Sequence, residues 1–451
     1  MLVCGYNIYI SKYEISISSL LFSFVRVRIR FCRQNNLRGV EHTQHIVHIS
    51  RFRLMSHTPL RYRLSSMCDE TRVRRAFNLG LEAGRRYIQQ KPRMYRLEND
   101  GGMIVEIVNV GAAIRSIRKN GVDVILGYEE AQRYVPSPKS KQNFCTVVGR
   151  FANRIANAEF ELDGNKFRLE ANNGKNALHG GSRGFFSRVF RVERYDSKRI
   201  ELTYKSPSGE MGYPGDMFVR VTYTLDNNNE LRMEFSANAS AATPCNLCHH
   251  AYFNLGGHTS GSVLDHELEL MRSSRYTPVV DGIPTGKIES VIGTILDYKT
   301  KPRTLGSSVV PLAKENSKLG QGTGGGLDFN FVIDCDGEES TVVPPCFADT
   351  SKTFEKYELL HVASLRHPKS GRSLDIFTNQ PGIQVYTANF VKKSSEVYQH
   401  CKGGATYDQY GAICLETQNY PDAINRKDVF PPSVLRPGQM YRHVSSYRFT
   451  W

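Results

Sequence analysis

Residues 219–238 read VRVTYTLDNNNELRMEFSAN. Val219, Val221, Tyr223 and Leu225 alternate with Arg220, Thr222 and Thr224. After Asp226–Glu230 (DNNNE), Leu231, Met233, Phe235 and Ala237 alternate with Arg232, Glu234, Ser236 and Asn238. A period of two sends alternate side chains to opposite faces of an extended chain. A polar Asp/Asn cluster between two such runs is a turn. The stretch therefore predicts an antiparallel hairpin with one buried face and one wet face.

The same alternation recurs at 103–118, 158–170, 264–270, 372–378 and 383–390, with Gly, Asn, Asp and Pro clusters between the runs. No 3.6-residue period stands out beyond residue 95, so many short strands and no helices are expected. The fold class is all-β: a large antiparallel β-sandwich of two packed sheets spanning about 350 residues. The polar, acidic stretch 334–358, with Pro344 and Pro345, breaks the rhythm and reads as a surface insertion.

Residues 1–93 differ from the rest. They hold 17 Lys and Arg against 5 Asp and Glu, whereas residues 94–451 hold 42 against 39. The basic excess therefore belongs to the N-terminal segment, and the body is close to neutral. A nucleic-acid groove in the body is not expected. The apolar run 15–25 is followed, not preceded, by Arg26, Arg28, Arg30 and Arg33, which is the wrong order for a secretory signal. The expected boundaries are a basic extension over 1–93 and a β-sandwich domain over 94–451. The extension reads as a disordered leader, or as an over-extended reading frame whose real start is Met55, Met67 or Met94. A basic amphipathic helix at 72–88 and a mitochondrial address are the alternatives. No uncharged apolar run is long enough to span a bilayer as a helix. Ten cysteines scattered over 451 residues form no disulfide framework and suit a reducing, cytoplasmic setting.

Two motifs mislead. Cys245-Asn246-Leu247-Cys248-His249 has the letters of a haem-attachment C-x-x-C-H pattern. Nothing points to a second axial ligand, and no second Cys/His pair sits at zinc-finger spacing. Adjacent His249 and His250 point to opposite faces of a strand, so they do not join one metal. Gly320, Gly322 and Gly325 satisfy G-x-G-x-x-G, but a polar stretch precedes them and a strand, not a helix, follows. No cofactor and no metal are expected.

What remains is a set of polar residues within apolar strands. Asn153 and Arg154 lie in GRFANRI (149–155), His179 in NALHGG (176–181), and His249 and His250 in NLCHHAYFNL (246–255). Asp328 lies in LDFNF (327–331) and Glu416 in CLETQ (414–418). A carboxylate inside a strand costs several kcal/mol to bury unpaired, so such a residue is a lead to function.

Together with SPSGEMGYPGD (206–216), TPCNLCHHAYFNLGG (243–257), YTPVVDGIPTGKI (276–288), PGIQVYTANF (381–390) and CLETQNYPDAIN (414–425), these blocks resemble the aldose 1-epimerase family, in order and from about residue 95 to the C-terminus. The resemblance implies a galactose mutarotase-like supersandwich. It also implies interconversion of the α and β anomers of free hexoses such as D-galactose and D-glucose, without a cofactor. It implies Glu416 as the catalytic base and His250 as the acid. It implies Asn153, Arg154, His179, Asp328 and Gln384 as residues that bind sugar hydroxyls. The expected partner is the small aldose itself, with no nucleic acid and no membrane, and the expected state a monomer or weak dimer.

This chain departs from the family at two positions. His249 stands where Asn is usual, and Phe329 stands where His is usual. The second change suggests an aromatic ring that stacks on the sugar. A silent sugar-binding module, a glycoside hydrolase using Glu416 and Asp328, and a hexose-phosphate epimerase are the competing readings. The retained Glu/His pair argues against the first. The lack of a further carboxylate, or of clustered cations beyond Arg154, argues against the others.

Overall fold

In the computed structural model the hairpin forms as read. Met217–Leu225 and Glu230–Ala239 pair antiparallel, with Val219 opposite Ala237, Val221 opposite Phe235 and Tyr223 opposite Met233. Those side chains are buried, while Arg220 and Arg232 reach the surface side. The turn is built by Asp226, whose carboxylate accepts the Asn228 and Glu230 N–H groups at 2.8 and 2.9 Å. Asn229 takes the left-handed backbone (φ 58°) that Asn tolerates.

The structure describes residues 91–136, 144–314, 319, 322–334 and 359–451, and the backbone alone of Phe347–Asp349 and of four strands before residue 51. The chain divides into two units, Met1–Ile88 and Gln89–Trp451. The first carries an antiparallel meander of Tyr6–Ile10, Tyr13–Ile17, Phe24–Cys32 and His42–Ser50. The possible helix at 72–88 lies outside the described residues, as does most of the 334–358 insertion. Within the latter, Phe347–Asp349 pairs with Gln439–Tyr441. No described helix is long and apolar enough to cross a membrane.

The second unit is all-β. The hairpin sits in a ten-stranded antiparallel sheet. Its central strand is Gln439–Thr450, flanked by Glu230–Ala239 and Ser373–Thr378. A five-stranded antiparallel sheet runs in the order Glu289–Ser290, Arg275–Thr277, Asp328–Val332, Gly382–Tyr386, Cys414–Gln418. A four-stranded sheet begins the domain at Met94–Glu98. Val221 and Phe235 of the large sheet share one buried apolar cluster with Ile383, Val385 and Leu415 of the five-stranded sheet. That shared core makes the domain a sandwich.

Among the described residues one α-helix departs from the expectation of none: Gly306–Leu312 (GSSVVPL). It spans seven residues and contains Pro311, too short to show a helical period in a window of about 11–18 residues. The glycine cluster at 322–326 leads into the Asp328–Val332 strand, consistent with the rejected dinucleotide motif.

Candidate active site

The site is built on the five-stranded sheet. Gln384 lies opposite both Asn330 and Glu416 in the ladder, and Tyr386 lies opposite both Asp328 and Cys414. Cross-strand partners share a face, so Asp328, Gln384, Glu416 and Cys414 project from one side. Phe329, Phe331, Val385 and Leu415 project from the other, into the core. The strand period thus separates chemistry from packing.

His250 follows the short strand Cys248–His249, which pairs with Val147–Val148. Its backbone N–H donates to the Thr146 carbonyl at 2.9 Å, and its carbonyl accepts from Cys145 N–H at 3.0 Å. Its Nε2 lies 3.6 Å from Glu416 Oε1. The imidazole stacks on Tyr252 at 4.9 Å and meets the His179 ring edge-on at 5.3 Å. His249 turns the opposite way, beneath the Tyr223 ring at 6.1 Å, where neither of its nitrogens has a hydrogen-bond partner.

His443 ties the segments that carry His250 and Glu416 together. Its Nδ1 donates to the Leu247 carbonyl at 3.0 Å, leaving Nε2 to accept from Thr417 Oγ1 at 3.0 Å. Burial holds this imidazole neutral, with its pKa down at about 3. Leu247 and Thr417 neighbour Cys248 and Glu416, so one side chain sets the spacing of both strands. The sequence offered no signal for this, because His443 carries no motif.

Asn153 and His179 face each other across the pairing of Arg154–Ile155 with Ala177–Leu178. Both take left-handed backbone, at φ 63° and 54°. Such strain in non-glycine residues gathers at functional sites. Asn153 N–H donates to His179 Nδ1 at 3.2 Å, so the ring proton sits on Nε2. Burial, with His250 and Arg154 nearby, holds His179 neutral, well below the usual histidine range. Gly180 is required beside it: a Cβ there would lie 2.0 Å from the Gly149 carbonyl oxygen.

Arg154 donates through Nε to Asn173 Oδ1 at 3.0 Å and sets Nη1 3.9 Å from Asp328 Oδ2. Burial raises the Asp328 pKa, opposed by Arg154 and Gln384. Burial, reinforced by the charge of Asp328, raises Glu416 to about 8. Burial lowers His250 to about 4. Between those two values the pair holds a single proton. The neutral pair and the carboxylate–imidazolium pair differ only in where that proton sits.

A cavity of about 640 Å³ opens over these groups, within the roughly 300–1,000 Å³ usual for small-ligand sites. Asn153, Arg154, His179, His250, Asp328 and Glu416 all line it. Gln384, on the same sheet face as Glu416, donates to Asp328 Oδ1 at 2.7 Å. One expectation needs correction. Phe329 cannot stack on a sugar, because strand alternation turns it into the core against Tyr276. The aromatic wall is instead Tyr252, Tyr386, Phe390 and Tyr398. Sequence reading missed those rings because Tyr386 sits in a strand, where aromatics usually read as core, and Tyr252, Phe390 and Tyr398 lie outside the strands, in segments that carry no period.

Arg150, in the same block as Arg154, does not reach the cavity. It is buried, and its five donors go to Ser206 Oγ, the Ser206, Pro207 and Pro214 carbonyls, and Thr243 Oγ1. It anchors the 206–216 block. Among the described residues, His250, Cys414 and Glu416 bring three metal-ligating atoms within 4.8 Å of one another.

The domain is thus a β-sandwich that holds a carboxylate and an imidazole 3.6 Å apart at the wall of a polar, aromatic-lined cavity. The family profile described as aldose 1-epimerase matches residues 93–448, and the chain belongs to that family of isomerases. It is 37% identical over 362 residues to the galactose mutarotase of Bos taurus, covering 79% of this chain and 93% of that protein. It is 28% identical to the aldose 1-epimerase of Escherichia coli K12, over 80% and 96% of the two chains. The crystal structure of an aldose epimerase homologue from C. elegans superposes with a TM-score of 0.65 at 27% identity, covering 80% of this chain and 99% of that one.

Proposed function

We propose that this protein interconverts the α and β anomers of free hexoses such as D-galactose and D-glucose by general acid–base ring opening and closure. One observation carries the reading: Glu416 and His250 stand 3.6 Å apart at the wall of a hexose-sized cavity. The Glu416 carboxylate takes the proton of the anomeric hydroxyl while protonated His250 donates to the ring oxygen. The C1–O5 bond breaks, the aldehyde rotates about C1–C2, and the reverse transfers close the ring on the other face. The pair keeps its single proton over each full cycle, so no external acid or base is consumed. A positioned acid–base pair supplies about 10²–10⁴-fold, enough to matter for a reaction that already runs in water.

Arg154 and Asp328 offer a donor and an acceptor to sugar hydroxyls, His179 Nε2–H a second donor, and the Asn153 amide either. The described cysteines Cys145, Cys248, Cys401 and Cys414 are not in disulfides, which fits a reducing cytoplasm; the protein would act there in galactose and hexose metabolism as a monomer or weak dimer. Polarimetry on freshly dissolved α-D-galactose tests the reading. Accelerated decay of optical rotation is expected. Galactose binding without any acceleration makes the protein a silent sugar binder and defeats the proposal.

A further inference from the structure

Cys414 and Cys248 flank Glu416, and the proton transfers proposed above give neither thiol a role. Cys414 lies two residues from Glu416 on one strand, so both side chains leave the same face. Its sulfur, His250 Nε2 and a Glu416 oxygen lie within 4.8 Å of one another. Cys248 Sγ donates to Glu416 Oε2 at 3.4 Å. Given the proposed function, we infer that the acid–base pair also forms a site for a soft divalent cation. His250, Cys414 and Glu416 would hold Zn2+ or Cd2+ there, and the ion would inhibit by excluding the sugar.

The donor set and its spacing carry this inference. One imidazole nitrogen, one thiolate sulfur and one carboxylate oxygen are the ligand types zinc selects, and three protein ligands with an open fourth position form a common arrangement. Zinc bonds of about 2.0–2.3 Å in a tetrahedron put neighbouring ligand atoms about 3.3–3.8 Å apart. The observed 3.6 Å between His250 Nε2 and Glu416 Oε1 is such an edge. The Cys248 thiol holds Oε2 and leaves Oε1 to the cation, in the way hydrogen bonds orient metal-ligating carboxylates. His250 and Glu416 line the cavity, so an ion held there would occupy the wall where a sugar binds.

His250 Nδ1 has no hydrogen-bond partner, whereas the histidine of a resident zinc centre nearly always donates through its second nitrogen. The ion is therefore an exchangeable inhibitor and not a cofactor. The cluster of Asp265, His266 and His367 brings its ligand atoms equally close but is already committed. His266 Nε2 accepts from Leu255 N–H at 3.0 Å and its Nδ1 meets Asp265 at 3.2 Å, while the Lys369 ammonium sits 2.8 Å from the same carboxylate.

The test titrates the full chain, stripped with chelator, with Cd2+ and Zn2+. Ultraviolet absorbance of the Cd2+–thiolate bond reports binding, and polarimetry reports rate. Expected are a galactose-suppressed absorbance band, inhibition relieved by galactose, and inhibition weakened at least about tenfold by Cys414→Ala, with basal rate within a few-fold. Cys414→Ser serves as a second variant should the alanine not fold. His367→Ala should leave the band unchanged. The inference is overturned if no galactose-sensitive band forms, if the band survives removal of Cys414, or if it disappears in His367→Ala. The band is read without turnover, so its failure is distinct from a failure of the mutarotase reading, which shows as no rate enhancement in metal-free protein.

Discussion

Gln384 Nε2 donates a 2.7 Å hydrogen bond to Asp328 Oδ1, while the ladder sets Gln384 directly opposite Glu416. That amide therefore orients the Asp328 carboxylate, which lines the cavity. A hydrogen bond to a charged group contributes about 1.5–3 kcal/mol, and tenfold in affinity is about 1.4 kcal/mol. Gln384→Leu should raise KM for galactose about tenfold, with kcat changed by only a few-fold. An unchanged KM in steady-state polarimetry removes this positioning role.

Glu416→Gln and His250→Asn keep shape but cannot exchange protons in the required way. Each should lower the mutarotation rate by two or more orders of magnitude, in line with the usual worth of a positioned acid or base. Circular dichroism and thermal melts should show the fold intact. Near-normal rates in either variant would overturn the mechanism.

The pair carries one proton between about pH 4, set by His250, and about pH 8, set by Glu416. Below that window a second proton removes the base; above it the last proton leaves and removes the acid. A plot of kcat/KM against pH should be a plateau falling at both ends, with the two limbs belonging to the pair jointly. His250→Asn should retain neither limb at its wild-type position.

The same shifts bear on stability. Glu416 stays protonated in the fold up to about pH 8, whereas the unfolded chain loses that proton near the ordinary 4.5. The folded state then binds more protons across this window, so its stability falls as pH rises from about 4.5 to 8. Glu416→Gln has no such proton to lose. The variant should gain Tm relative to wild type on going from pH 5 to pH 8; a constant difference contradicts the shift.

Arg150 and Arg154 stand four residues apart yet should fail differently. Arg150→Met removes five hydrogen bonds, three of them fully buried, and should cost about 2–4 kcal/mol in denaturant melts, with KM little changed in the folded fraction. Arg154→Met removes a donor at the cavity and should raise KM with stability nearly unaltered. The reverse pattern would exchange their roles.

The all-β class was legible in residues 219–238 because strand alternation is a local rule: a side chain two residues on must face the same way. The same rule separated His249 from His250 and set Glu416 apart from Leu415 and Thr417. What no local rule contains is which strands become neighbours. Glu416 lies 166 positions after His250, and it is the packing of the five-stranded sheet beside the 243–257 block, bridged by His443, that brings their atoms to 3.6 Å. Phe329 went into the core for the same reason, since burial is assigned only when sheets stack.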